Sequence, residues 1–114
     1  MIVVPAFWPG YFKNKEAADF EKGFHAKYTA LEGDEWSMFA YDAVMMVAAA
    51  MERVKSTEGT KVIPELFKQG PINGAAGSYR ITPNGEIETT VFIGTWAPSG
   101  KVELIRAWAP PKLD

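Results

Sequence analysis

The chain has 114 residues, which is enough for one small domain or for part of a larger protein. Apolar residues make up 47% of the chain and charged residues 23%, a balance that is typical of a folded globular protein. The net charge of −2 without a Lys/Arg cluster excludes a nucleic-acid interface, and the absence of cysteine excludes thiol catalysis, disulfides and cysteine-bound metal.

The first predicted elements are a short strand and a helix. Residues 2–4 are a β-branched run closed by Pro5, a pattern that is typical of a buried strand. A helix is predicted over residues 15–28, with Asn14 as its N-cap. Aromatic side chains four residues apart share one face of this helix: Phe20, Phe24 and Tyr28.

Two more helices follow. The longer one is predicted over residues 35–55, with Asp34 as its N-cap. The shorter one is predicted over residues 62–68, with Pro64 in its first turn, where a missing N–H costs little. The longer helix carries an apolar stripe at helical spacing: Trp36, Phe39 or Ala40, Val44, Val47, Met51 and Val54.

The last part of the chain predicts β-hairpins. After a small, flexible connection over residues 70–77, the pair Asn84-Gly85 indicates a turn between strands at 78–82 and 86–97. A second turn precedes a strand at 102–105. The predicted order is strand, helix, long helix, short helix and β-hairpins, an α/β pattern with incomplete sheets that begins in the middle of a fold.

Neither a membrane span nor a secretory leader is predicted. The longest apolar stretch, residues 40–51, is interrupted by Asp42 and is too short for a bilayer. The first five residues have neither the basic start nor the cleavage site of a leader. If the protein is exported, we therefore expect Met1 to be the start of a piece.

No catalytic, metal or cofactor site is predicted. His25 is the single histidine and lies at the edge of an apolar stripe, so we interpret it as structural. The acidic residues Glu32, Asp34 and Glu35 are interpreted as a helix cap and solvated charge. No Gly-x-Ser-x-Gly or Gly-Lys-Ser/Thr motif is present.

Two aromatic residues are candidate ligand contacts. Phe7 and Trp8 follow the C-terminal end of the first strand, where open α/β sheets place their ligand sites. An aromatic ring there can stack on a small solute or enclose it. The alternative is that both rings pack beneath the following helix.

Three segments resemble motifs of a known family. They are FEKGFHAKY at residues 20–28, FAYDAV at 39–44 and GSYRITPNGE at 77–86. In this order they are similar to the type I periplasmic solute-binding proteins, the leucine/isoleucine/valine-binding group that serves ABC importers. The resemblance covers residues 3–105 and corresponds to the C-terminal third of such a receptor.

The resemblance implies a partial periplasmic-binding-protein-like I fold. Residues 1–30 would belong to the second lobe, residues 31–92 to the first lobe, and residues 93–114 to a hinge-crossing strand and a tail. It also implies ligand binding between the lobes without chemistry or cofactor, docking on an ABC permease, and a periplasmic or extracellular location. The ligand contacts carried over are Phe7, Trp8 and Tyr41, although Tyr41 is alternatively a core residue.

The C-terminal third of a two-lobed receptor, without the rest of the protein, would leave sheet edges and an apolar helix face uncovered. On its own, the chain is therefore expected to form a homo-oligomer or a domain-swapped assembly, and to bind no amino acid. Two alternatives remain open: a self-contained interaction or oligomerisation domain that reuses this half-fold, and a ligand-sensing domain of the same fold.

Overall fold

A computed structural model of the chain describes residues 1–5, 8, 10–31 and 35–111. It confirms the mixed α/β order that the sequence predicts. The elements are β1 (Ile2–Val3), α1 (Lys15–Lys27), α2 (Glu35–Val54), α3 (Gly59–Lys68), β2 (Ile72–Gly74), β3 (Gly77–Ile81), β4 (Ile87–Thr89), β5 (Val91–Trp96) and β6 (Val102–Trp108). Within the described ranges, none of the helices combines the length and apolar character that a bilayer crossing requires.

The strands form two small antiparallel sheets, one in the order β1-β5-β6 and the other in the order β2-β3-β4. The single strand predicted over residues 86–97 is wrong. Its first half, β4, pairs with β3, and its second half, β5, pairs with β1 and β6. Between the halves lies the buried Thr90, so one residue carries the chain from one sheet to the other.

The opening strand is not buried, contrary to the prediction. Ile2 pairs with Thr95, but its side chain is 69% exposed. In the part of the chain that the structure describes, β1 lies at the edge of a three-stranded sheet. Its apolar side chains therefore lack the covering layer that their composition predicts.

Helix α1 begins as predicted. Asn14 Oδ1 accepts a hydrogen bond from the Ala17 N–H at 2.9 Å, and Asn14 Nδ2 donates to the Gly74 carbonyl at 3.0 Å. The cap thus also ties α1 to β2. The predicted aromatic face is formed, with the ring of Phe24 lying 5.4 Å from Phe20 and 5.0 Å from Tyr28.

Helix α2 turns only part of the predicted stripe inward, since Phe39 packs against the core but other members of the stripe do not. Met38 and Asp42 are buried, whereas Trp36 is 74% exposed and Val44 is 68% exposed. Because α2 is apolar on two sides, periodicity alone could not select the packed side. The predicted N-cap, Asp34, lies outside the described residues.

The shorter helix begins three residues before its predicted start. The backbone N–H groups of Lys61 and Val62 both donate to the Glu58 carbonyl, which starts the helix at Gly59. Pro64 therefore lies in the second turn and not in the first, as predicted. The helix tolerates this position at the loss of one backbone hydrogen bond.

The main hydrophobic core joins α1, α2 and the β2–β3 hairpin. Its buried members are Phe20, Met38, Ala75, Ala76 and Tyr79. Helix α1 therefore packs in the same core as α2, while β1 belongs to the other sheet. The lobe boundary predicted near residue 30 stays a prediction.

Tyr79 gives this core a dependence on alkaline pH. Burial raises the pKa of its phenol, and the hydrogen bond that it donates to Asp42 raises the pKa further. In the unfolded chain the phenol ionises near pH 10. The stabilisation is therefore complete below about pH 10 and is lost as the pH rises above it, because only the unfolded chain then releases the proton.

We expect the free energy of unfolding to fall by up to about 1.4 kcal/mol per pH unit above pH 10 from this group alone. Urea unfolding of the wild type and of Tyr79→Phe between pH 8 and 11 measures this contribution. The variant removes the phenol and should show a shallower slope. Equal slopes for the two proteins would contradict the assignment.

Candidate functional site

The carboxylate of Asp42 is buried on α2 and accepts three hydrogen bonds. Oδ1 accepts from the Ala75 N–H at 2.6 Å, and Oδ2 accepts from the Ala76 N–H at 3.0 Å and from the Tyr79 hydroxyl at 2.8 Å. These donors satisfy both oxygens within the protein. Asp42 therefore fastens α2 to the β2–β3 hairpin.

Gly74 makes this fastening possible. A Cβ atom at this position would lie 2.5 Å from Asp42 Cγ and 2.7 Å from Tyr79 Cε2. These separations are too short for any side chain, so only glycine allows the hairpin to approach the carboxylate.

Trp8 is half-buried against β5. Its ring centroid lies 6.2 Å from that of Phe92, and its carbonyl accepts a hydrogen bond from the Tyr11 N–H at 3.2 Å. A Cβ atom on Gly94 would lie 2.8 Å from the Trp8 ring. The ring therefore packs directly on the backbone of β5, at a position where only glycine leaves room for it. The second predicted contact, Phe7, lies outside the described residues.

Further aromatic residues surround the Trp8 ring, and they were not predicted from the sequence. The ring centroid of Phe92 lies 4.9 Å from Tyr11 and 6.0 Å from Phe12, and both pairs are edge-on. Phe92 is fully buried. The signal in the sequence was the aromatic density of residues 7–12, which could have been read as a cluster rather than as two separate contacts.

Tyr41 lies on α2 at the margin of a groove. Its ring packs edge-on at 5.3 Å from Phe20, yet 36% of the residue is exposed. Tyr41 was predicted to be either a ligand contact or a core residue. It makes a core contact and also keeps an accessible surface. Its role as a ligand contact stays a prediction.

The groove beside Tyr41 has a volume of about 360 Å³ and runs between α1, α2 and β2. Trp8 is not among its lining residues. The structure therefore does not bring Tyr41 and Trp8 together in this groove. The lining residues are Lys15, Glu16, Asp19, Tyr41, Asp42, Met45, Met46, Ala49, Arg53, Gln69, Ile72, Asn73 and Gly74.

The other ionisable side chains singled out in the sequence lie apart from this groove where the structure describes them. His25 lies exposed in the last turn of α1, with its ring 6.5 Å from that of Phe24. Among the described residues, no three His, Asp or Glu side chains converge as a metal site would require. Glu32 and Asp34 lie outside them. The arrangement offers aromatic and apolar surfaces, which suit binding.

The chain is similar to known binding proteins. The family described as periplasmic binding protein matches residues 1–101. A leucine-binding protein, LivK, from Thermotoga maritima superimposes with a TM-score of 0.80 at 26% identity, over 96% of this chain and 31% of that one. No match was found among curated proteins.

Two further solved structures share the fold. The substrate-binding protein LivJ of Streptococcus pneumoniae, in complex with isoleucine, has a TM-score of 0.76 at 23% identity, over 96% of this chain and 30% of its own. A solute-binding protein of Rhodopseudomonas palustris, in complex with benzoate, has a TM-score of 0.69 at 15% identity, over 99% and 32%. The chain thus spans about a third of the length of these proteins.

Proposed function

The chain belongs to the periplasmic binding protein family, and from that premise we propose that it forms the C-terminal third of a solute-binding receptor for an ABC importer. The family location is extracytoplasmic, and we place the receptor in the periplasm or at the outer cell surface. Membership of a binding-protein family confirms the sequence-based prediction that the chain is not an enzyme.

The observation that carries the proposal is the passage at Thr90. This buried residue joins β4 of one sheet directly to β5 of the other. A short link between two separately paired sheets suits a hinge, since a few residues at element ends absorb the rotation when lobes close. We therefore assign Thr90 to a hinge crossing between two lobes.

We place a second crossing between β1 and α1. Strand β1 pairs with β5, whereas Phe20 of α1 lies in the core with Met38 and Tyr79. This packing supports moving the predicted lobe boundary from residue 30 to the segment before Lys15. The second lobe would then contain β1, β5 and β6.

The solute that we propose is an amino acid or a related small carboxylate, including aromatic ones. The relatives provide the range: one is a leucine-binding protein, one holds isoleucine and one holds benzoate. In this chain we assign Phe7, Trp8 and Tyr41 as candidate contacts from the lobe surfaces. Solute binding would favour the closed form, which docks on the permease.

Calorimetry on the complete receptor polypeptide that contains these residues tests the proposal. We expect leucine, isoleucine or benzoate to bind with one site per chain, and Trp8→Ala to weaken binding about tenfold or more. Phe67→Ala is the matched control, since this half-exposed aromatic residue lies on α3, away from the Trp8 cluster, and should leave the affinity unchanged.

Two results would overturn the proposal. One is a complete reading frame that contains no further α/β lobe besides these residues. The other is micromolar binding of an amino acid by the 114 residues alone, because the proposed cleft needs surfaces from both complete lobes.

The exposed apolar surface favours one alternative, a self-contained interaction or oligomerisation domain. Trp36 on α2 is 74% exposed and Ile105 on β6 is 59% exposed. Large exposed apolar side chains are typical of association surfaces. The complete reading frame distinguishes this alternative, and a ligand-sensing domain of the same fold, from a transport receptor.

A further inference from the structure

The side chain of Phe12 contacts both sheets of the molecule. Its ring lies against Gly77 of β3, where a Cβ atom would come within 2.7 Å of Phe12 Cε2. The same ring is edge-on to Phe92 of β5, with 6.0 Å between the centroids, and to Tyr11, with 5.0 Å. Strands β3 and β5 belong to different sheets, so this half-buried side chain connects them.

The chain passes from one body of the molecule to the other beside this ring. Before it, the Trp8 carbonyl accepts a hydrogen bond from the Tyr11 N–H, and the Trp8 ring packs on β5. After it, Asn14 Nδ2 donates to the Gly74 carbonyl at the end of β2. These contacts narrow the crossing before α1 to the few residues around Phe12.

The crossing between β4 and β5 runs beside the same ring. Thr90 forms this crossing and is buried, and Phe92 follows it by two residues. Both crossings therefore lie next to Phe12, whose ring is edge-on to Phe92. Because packed side chains resist deformation, a ring lodged where two hinge segments meet limits how the two bodies can rotate.

The ring of Phe12 makes two different kinds of contact. On the β5 side it is edge-on to other rings, and such aromatic pairs have a preferred geometry. On the β3 side it meets bare backbone, because Gly77 has no side chain. The φ of Gly77 is 134°, a value that residues with a side chain rarely adopt. The contacts therefore fix the ring to the β5 body and give it a smooth surface on the β3 body.

We propose that Phe12 is a positioning residue of the hinge, whose ring stays in the aromatic cluster on β5 and slides over Gly77 as the lobes rotate. It thereby restricts the solute-free receptor to orientations close to the one that binds solute. This inference rests on the proposed two-lobed receptor and adds a residue that controls its closure. Phe12 acts through the angle between the bodies and not through a contact with the solute.

Distances between the two bodies test the proposal in the complete receptor. Spin labels on cysteines that replace Lys61 of α3 and Glu103 of β6 report these distances, since both residues are exposed and lie in different bodies. We expect Phe12→Ala to broaden the distance distribution of the solute-free receptor about twofold, because the bodies then sample more orientations. The Kd for leucine, isoleucine or benzoate should rise about threefold or more, because fewer of these orientations are competent to bind.

Phe24→Ala is the matched control for this change. Phe24 is partly buried, as Phe12 is, but its ring packs within one body, against Phe20 and Tyr28 of the same helix region. Its removal should lower the free energy of unfolding and leave the distance distribution and the Kd unchanged. Phe12→Leu keeps an apolar side chain without the flat ring, so it should broaden the distribution less than Phe12→Ala does.

Two outcomes would overturn the proposal. They are a distribution in Phe12→Ala as narrow as that of the wild type, and equal broadening in Phe24→Ala. If Phe12→Ala fails to fold, the same comparison with Phe12→Leu decides the question. Wild-type distances that respond to none of the three solutes would count against the proposed function instead, and broadening in Phe12→Ala would then still support the role of Phe12.

Discussion

Replacing Asp42 by alanine is expected to lower the free energy of unfolding by about 3–5 kcal/mol. The change leaves the N–H groups of Ala75 and Ala76 and the hydroxyl of Tyr79 buried without an acceptor. Each such group costs about 1–3 kcal/mol. Urea unfolding followed by circular dichroism, at one fixed chain concentration, measures the loss.

Two variants make this result specific. Asp42→Asn keeps one acceptor oxygen and the side-chain shape, so its loss should be smaller than that of the alanine variant. Asp19→Ala removes an exposed carboxylate paired with Lys15 and should change stability little. An Asp42→Ala chain as stable as the Asp19→Ala chain would show that the junction does not hold the hairpin.

Replacing Phe92 by alanine is expected to cost about 3–5 kcal/mol in the other half of the molecule. Phe92 is fully buried on β5, and its ring contacts those of Trp8, Tyr11 and Phe12. Its removal opens a cavity beneath all three rings. The free energy of unfolding measures the cost. A red-shifted emission in a background where the other three tryptophans are replaced by phenylalanine would report that the Trp8 ring has become exposed.

The matched control for this change is Phe67→Ala on α3. Phe67 is 43% exposed, so truncation should cost about 1 kcal/mol or less. Equal losses in the two variants would mean that the cluster around Phe92 is not a packed core. In the complete receptor, Phe92→Ala should also weaken solute binding if Trp8 lines the cleft.

Helices α1 and α2 and the turn between β3 and β4 could be predicted because local signals determine them, whereas β2 lies in a stretch predicted to be a flexible connection. Asn14 caps α1 through its own side chain, and the aromatic face of α1 follows from four-residue spacing. The turn at Asn84-Gly85 follows from the positive φ of Gly85, which is 87°. These signals lie within a few residues of the structure that they specify.

The sequence-based predictions fail where contacts between residues distant in the chain determine the structure. Nothing near Thr90 marks the point at which an extended run changes sheets, because the change is fixed by pairing with β1 and β3. The inward face of α2 is fixed by the bonds of Asp42 to residues 33 and 34 positions away. The available signal was Asp42 itself, a carboxylate within an apolar helix. A buried carboxylate requires hydrogen-bond donors, so its position indicates where α2 meets another element.

The candidate site was predictable only in part. The position of Trp8 after a strand indicated a place near the sheet, and its ring does lie on β5. The Trp8 ring packs on Gly94 and Phe92, which lie more than eighty positions further along the chain. No local sequence pattern could reveal these contacts. The groove beside Tyr41 likewise needs α1, α2 and β2 together.

The exposed apolar surfaces connect the fold to the proposed function. One side of α2 exposes Trp36 and Val44, and strand β6 exposes Leu104, Ile105 and Trp108. The relatives of this chain are about three times as long, and we propose that the additional polypeptide of a complete receptor covers these surfaces. Without that cover, the surfaces should pair between copies of the chain.

Light scattering coupled to size-exclusion chromatography tests this claim most directly. For the 114 residues alone, we expect a dimer or a larger assembly, with a mass that is a multiple of 12.6 kDa. A compact monomer of 12.6 kDa that persists at high concentration would contradict the account, because its exposed helix face and sheet edges would then need no partner.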